Sequence, residues 1–94
     1  MTDVELLAAL KIDLGITGMS YDARLDQVIT SAQELIAREG VTLNLNSLED
    51  CQLVIMYASW LWRRRDTMEG MPRMLRWALN NRLFGAKARE TVDG

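Results

Sequence analysis

Histidine is absent from the 94 residues. That removes the commonest general base and the commonest metal ligand. There is one cysteine, Cys51, so no disulfide can form within the chain. Without a histidine beside it, a lone thiol is a poor nucleophile. Cys51 falls in an apolar run and is expected as a buried structural thiol; a free thiol suits a reducing cytoplasm. One proline and six glycines are too few for a many-turned all-β fold or a disordered chain. The glycines form no nucleotide-binding spacing. The longest near-continuous apolar run, Leu53 to Trp62, is about half of a membrane span. Residues 1–20 are interrupted by Asp3, Glu5, Lys11 and Asp13, so no signal-peptide pattern is expected there. No internal repeat or low-complexity segment is visible.

What is present reads as one small globular domain. Apolar residues make up 49% and charged residues 26%, an ordinary balance. The net charge of −2 hides an asymmetry. Residues 1–59 hold three basic against nine acidic side chains, or −6; residues 60–94 hold eight against four, or +4. Such a dipole suits an acidic partner at one end, or copies of the chain docked head to tail.

The apolar spacing predicts an all-α fold, a compact bundle of four main helices with a long central third one. Thr2-x-x-Glu5 is a capping-box pattern. Leu6, Leu7, Leu10 and Leu14 follow at helical spacing, and Gly15 is placed to stop that first helix. Ser20 or Asp22 is expected to cap the second, whose stripe is Tyr21, Leu25, Val28, Ile29, Ala32, Leu35 and Ile36; Gly40 closes it. Val41 to Asn46 alternates apolar and polar residues. With no second strand to pair it, it is expected as an extended connector with Val41, Leu43 and Leu45 tucked onto the core.

Ser47-x-x-Asp50 resembles a second capping box and opens the third helix, which is expected to run from Leu48 to about Asp66. That stretch is apolar on nearly every side, then turns abruptly to arginine, so it is read as the buried centre of the bundle. Pro72 suits the first turn of a fourth helix with a stripe of Met74, Leu75, Ala78, Leu79, Leu83 and Phe84, ended by Gly85. The domain is thus read as residues 1–85, with a short polar tail at 86–94.

Candidate chemistry is sparse. Asp22 and Asp26 are four residues apart on one helix face, as acid–base or metal chemistry requires. No third ligand lies near, and an acidic first turn favoured by the helix dipole is the plainer reading; Glu49 and Asp50 are read the same way. No enzyme is expected, and no cofactor or metal. Arg63-Arg64-Arg65 beside Trp60 and Trp62 has the composition of a nucleic-acid patch, with arginine for phosphates and aromatic faces for bases. Consecutive helical residues point about 100° apart, however, and cannot make one flat patch. Arg, Trp and Met are also enriched at protein interfaces. Met68, Met71 and Met74 cluster around Pro72. Met74 is assigned to the core, while Met68 and Met71 are expected in a loop that inserts into a neighbouring subunit.

Two runs carry a resemblance. Gln52-Leu53-Val54-Ile55-Met56-Tyr57-Ala58-Ser59-Trp60-Leu61-Trp62-Arg63-Arg64-Arg65-Asp66 is followed by Glu69-Gly70-Met71-Pro72-Arg73-Met74-Leu75-Arg76-Trp77-Ala78-Leu79-Asn80-Asn81-Arg82. Together with Leu10 to Ile16, Tyr21-Asp22 and Arg38-Glu39-Gly40, they resemble the small head–tail connector proteins of tailed bacteriophages, across residues 4–84. The Met71-Pro72-Arg73-Met74 segment and its spacing from the arginine-rich helix end are the most characteristic parts; the tail after Gly85 has no clear counterpart.

The resemblance implies a non-enzymatic helical adaptor, made in the host cytoplasm and located in the virion neck. It would oligomerise into a dodecameric ring under the portal protein, extend the DNA channel and dock tail-completion or stopper proteins. DNA would pass without specific binding, and no membrane is involved. Given the charge asymmetry, the self-association surface is expected to set Arg63, Arg64, Arg65, Met68, Met71, Arg73 and Arg76 against Asp22, Asp26, Glu34 and Glu39. The alternative is a small nucleic-acid-binding module using the region from Arg63 to Arg65; a helical adaptor of some other assembly is a third reading.

Overall fold

The structure is a computed structural model. It describes the backbone of residues 1–66 and 70–93, and the side chains of residues 1–65 and 70–85. The elements are α1 (Asp3–Leu14), α2 (Asp22–Arg38), α3 (Leu48–Arg63), a 3₁₀ turn (Arg64–Asp66) and α4 (Arg73–Asp93). The fold is all-α, a four-helix bundle, with no strand among the described residues.

The local signals of the first half work as residue chemistry predicts. The Thr2 hydroxyl accepts from the Glu5 backbone N–H at 3.2 Å, and the Glu5 carboxylate accepts from the Thr2 N–H at 3.0 Å. Those two bonds satisfy donors that a helix start leaves open. The Thr2 backbone N–H, and after it the Thr2 side chain, hold the Glu5 carboxyl below its ordinary value. Gly15 stops α1 at φ 72°, a conformation that side chains other than glycine rarely adopt. Its N–H reaches Ile12 O, and that of Ile16 reaches Lys11 O.

α2 departs from expectation at its start. Neither Ser20 nor Asp22 caps it: Tyr21 holds the cap position, without a side-chain hydrogen bond. Asp22 is drawn instead to Lys11, whose Nζ lies 2.8 Å from its Oδ1. That oxygen has no partner in hydrogen-bond geometry, so the two meet as an ion contact.

α3 is the centre of the bundle and packs against α1, α2 and α4. Cys51, Leu53, Val54, Ile55, Tyr57, Ala58, Ser59 and Trp62 are buried along it, covering more than one face. Leu6 and Leu10 of α1, Leu25, Ile29, Ala32 and Ile36 of α2, and Leu75 and Leu79 of α4 complete the core. The connector from Val41 to Asn46 is extended; Val41 is buried, and Leu43 and Leu45 lie half-buried on the core. The Cys51 thiol donates to Leu45 O at 3.1 Å, and the N-terminal ammonium of Met1 donates to that same carbonyl.

Two expectations for α4 are corrected. Gly85 does not end it, since the helix continues to Asp93. A mid-helix glycine costs only about 1 kcal/mol, and Ala86-Lys87-Ala88-Arg89-Glu90 are strong helix formers. Nor are Met74 and Phe84 core residues; they are 68% and 60% exposed. Leu75, Ala78, Leu79 and Leu83 take the inward face. Of the six residues of the expected stripe, Leu75 and Leu79 are buried, Ala78 and Leu83 are half-buried, and Met74 and Phe84 turn out.

Candidate interaction surface

The arginine-rich end of α3 does not form a single patch. Arg63 turns back toward α1, with Nη2 at 3.5 Å from Asp13 O. Arg64 lies over the Trp60 ring, 4.8 Å from its centroid. Arg65 lies over the Trp62 ring at 3.9 Å and donates to Trp62 O at 2.7 Å. Trp62 itself is buried and meets the Tyr21 ring edge-on at 5.5 Å. Trp60 donates its indole N–H to Gly70 O at 3.2 Å and meets Tyr57 edge-on. Each guanidinium is thus set by its own ring or carbonyl, and an arginine of the same chain lies over one face of each of these two rings.

Other members of the expected surface differ in where the fold places them. Arg76 and Glu39 were expected on opposite partners of an interface. Instead they pair within one chain, Nη1 to Oε1 at 2.6 Å, and tie α4 to the end of α2. Asp22 is likewise engaged by Lys11. Met71 is half-buried against the chain's own core. Met68 lies outside the described residues. Arg63, Arg64, Arg65, Arg73, Asp26 and Glu34 remain exposed.

The acidic start of α3 is also different from its expected form. Ser47 caps, accepting from the Asp50 N–H at 3.4 Å. Asp50 does not reciprocate, and far from being a solvated first-turn carboxylate it is 1% exposed. Oδ1 accepts from Arg82 Nε at 2.7 Å, and Oδ2 accepts from Arg82 Nη2 at 3.2 Å and from the Asn44 N–H at 2.8 Å. Arg82 also donates to Thr42 O at 2.8 Å. The carboxylate raises the Arg82 pKa through this hydrogen bonding. The clasp joins the connector, α3 and α4. A shallow hollow of about 210 Å³ lies over it, lined in part by Asn44, Glu49, Asn81 and Gly85. A second polar link is made where the buried Ser59 hydroxyl donates to the Asp13 carboxylate, holding α1 to α3.

A site that sequence reading missed is the outer face of α4. Trp77 is 64% exposed and borders a groove of about 220 Å³ with Leu53, Met56 and Ala78. Its signal was the spacing of Met74, Trp77 and Phe84, three and seven residues apart, which puts them on one side of a helix. Among the described residues no group of three or more His, Cys, Asp or Glu side chains gathers as metal ligands do, and no helix is long and apolar enough to cross a membrane. Comparison with protein-family models, with curated proteins and with solved structures finds no match for this chain.

Proposed function

We propose that the chain is a non-enzymatic structural adaptor, a head–tail connector subunit of a tailed bacteriophage. In that role it adds to itself as a dodecameric ring beneath the portal, in the virion neck. DNA passes through the ring without specific binding, and tail-completion or stopper proteins dock to it. The support is the resemblance of residues 4–84, whose implied fold is the all-α bundle described above.

The observation that carries a protein-binding reading over a nucleic-acid one is the state of the two tryptophans beside the arginine run. Arg64 and Arg65 cover Trp60 and Trp62, so neither ring is an open stacking platform of the kind single-stranded nucleic acid uses. The self-association surface is narrowed to Arg63, Arg64, Arg65 and Arg73 against Asp26 and Glu34, the members left exposed.

Light scattering coupled to size exclusion, at low and high protein concentration and with and without DNA, tests the reading. Assembly that grows with protein concentration and needs no DNA is expected. A monomer that shifts only with DNA, with an affinity falling steeply as salt rises, overturns it in favour of a nucleic-acid-binding module.

A further inference from the structure

Two helices carry a second apolar stripe facing away from the core. On α1, Val4 (77% exposed), Ala8 and Ile12 (82% exposed) follow at four-residue spacing. On α4, Met74, Trp77 and Phe84 share the side turned from Leu75 and Leu79. The stripes are similar in length: Val4 to Ile12 spans about 12 Å and Met74 to Phe84 about 15 Å at the helical rise. Large apolar residues in a row on a small domain mark a docking face, and tryptophan is the side chain most enriched among binding hot spots.

The charges beside the stripes are complementary and sit at matching ends. Asp3 precedes Val4 and shares a hollow with Asp26 of α2. Arg73 precedes Met74, and Arg63 shares a hollow with Met74, Pro72 and Asp13, whose carboxylate is taken up by the Ser59 hydroxyl, so two cations face one engaged anion. The amino-terminal end of the α1 stripe is therefore acidic and that of the α4 stripe basic.

We infer that the α1 stripe of one copy seats against the Trp77 groove of α4 on a second copy. The two helices run parallel, so that Asp3 and Asp26 meet Arg63 and Arg73. The apolar rows supply the buried area, and the charged ends select the parallel direction over the antiparallel one. The two faces are different, so each copy offers one face to each neighbour. Repetition then gives a ring or a chain of copies rather than a closed pair. The inference rests on self-association in the reading above and names the surfaces that make it.

The test is disulfide trapping in the full chain, with the buried Cys51 retained. Val4→Cys is mixed with Met74→Cys, and Ile12→Cys with Phe84→Cys; the crossed mixture is Val4→Cys with Phe84→Cys. On oxidation the matched mixtures are expected to give several times more covalent heterodimer than the crossed one. Equal yields, or a larger crossed yield, overturn the parallel pairing. Independently, Trp77→Glu is expected to keep its helical circular dichroism, because the side chain is mostly solvent-facing. It is also expected to weaken association about tenfold or more. Wild-type assembly with an unaffected Trp77→Glu overturns this interface while leaving the connector reading standing. A wild-type chain monomeric at every concentration overturns the pairing itself.

Discussion

Arg82 grips the buried Asp50 carboxylate with two nitrogens, at 2.7 and 3.2 Å, from 32 residues away in the chain. The pair secures α4, whose other anchors on α3 are mainly Leu75 and Leu79, and it fixes the connector through Thr42 O and the Asn44 N–H. Removing Arg82 takes two charge-assisted hydrogen bonds from a carboxylate that is 1% exposed. Arg82→Ala is therefore expected to cost about 3 kcal/mol or more, a large share of the stability of a domain this size. Urea denaturation measures it; a loss under about 1 kcal/mol would mean that the pair behaves as a surface contact.

Gly40 closes α2 at φ 100°, and a Cβ there would lie 3.3 Å from Leu83 Cδ1. Both backbone strain and the close approach of α4 oppose any side chain. Gly40→Ala is expected to destabilise the fold by about 1–2 kcal/mol. Thermal unfolding reads this out, and an unchanged midpoint would show that the chain relaxes at no cost.

Gly85 presents the opposite case. A Cβ at this position meets nothing within 4 Å, and its φ lies outside the positive range. Gly85→Ala is expected to stabilise by about 0.5–1 kcal/mol by removing glycine's entropic cost within a helix. A fall in the unfolding midpoint would contradict a continuous α4.

These sites also mark what could be read in the chain alone. The caps at Thr2 and Gly15 and the end of α2 at Gly40 depend on neighbours within four residues, so their chemistry is local. The centrality of α3 followed from its apolar excess, and the tucked connector from its alternation. The Asp50–Arg82 clasp was hidden because nothing local distinguishes a carboxylate that will be buried from one that caps in water. The pairs Lys11–Asp22 and Arg76–Glu39 were hidden for the same reason, and two expected interface acids proved to be engaged within the chain. In α4 the apolar residues exceed one face, and periodicity alone does not say which of them turns outward.

Tyr57 gives a pH signature. Burial pushes its phenol above the ordinary value near 10, and the nearby Glu39 carboxylate acts in the same direction. The unfolded phenol ionises first, so the unfolded chain holds fewer protons in that window. The contribution is complete below pH about 10 and is lost as pH rises toward the folded pKa. Tyr57→Phe is expected to flatten the alkaline fall in stability; parallel wild-type and mutant curves above that pH would remove Tyr57 as its source.

Charge reversal at the end of α3 separates self-contact from partner contact. Arg64 and Arg65 stack on Trp60 and Trp62 but stay exposed, so glutamate at both positions loses two cation–π contacts, at about 0.5–1 kcal/mol each, together with the bond from Arg65 to Trp62 O. The fold should therefore survive, with its helical signal intact. If these arginines face acidic residues of a neighbouring copy, the same double variant places like charges across the contact, and assembly should fail at concentrations where the wild type associates. Arg76→Glu is the control. Its partner is Glu39 of the same chain, so it should lower stability by up to about 1 kcal/mol and leave assembly largely intact. Sedimentation velocity on the three proteins gives the answer. Assembly by Arg64→Glu/Arg65→Glu at wild-type concentrations would exclude Arg64 and Arg65 from the subunit interface.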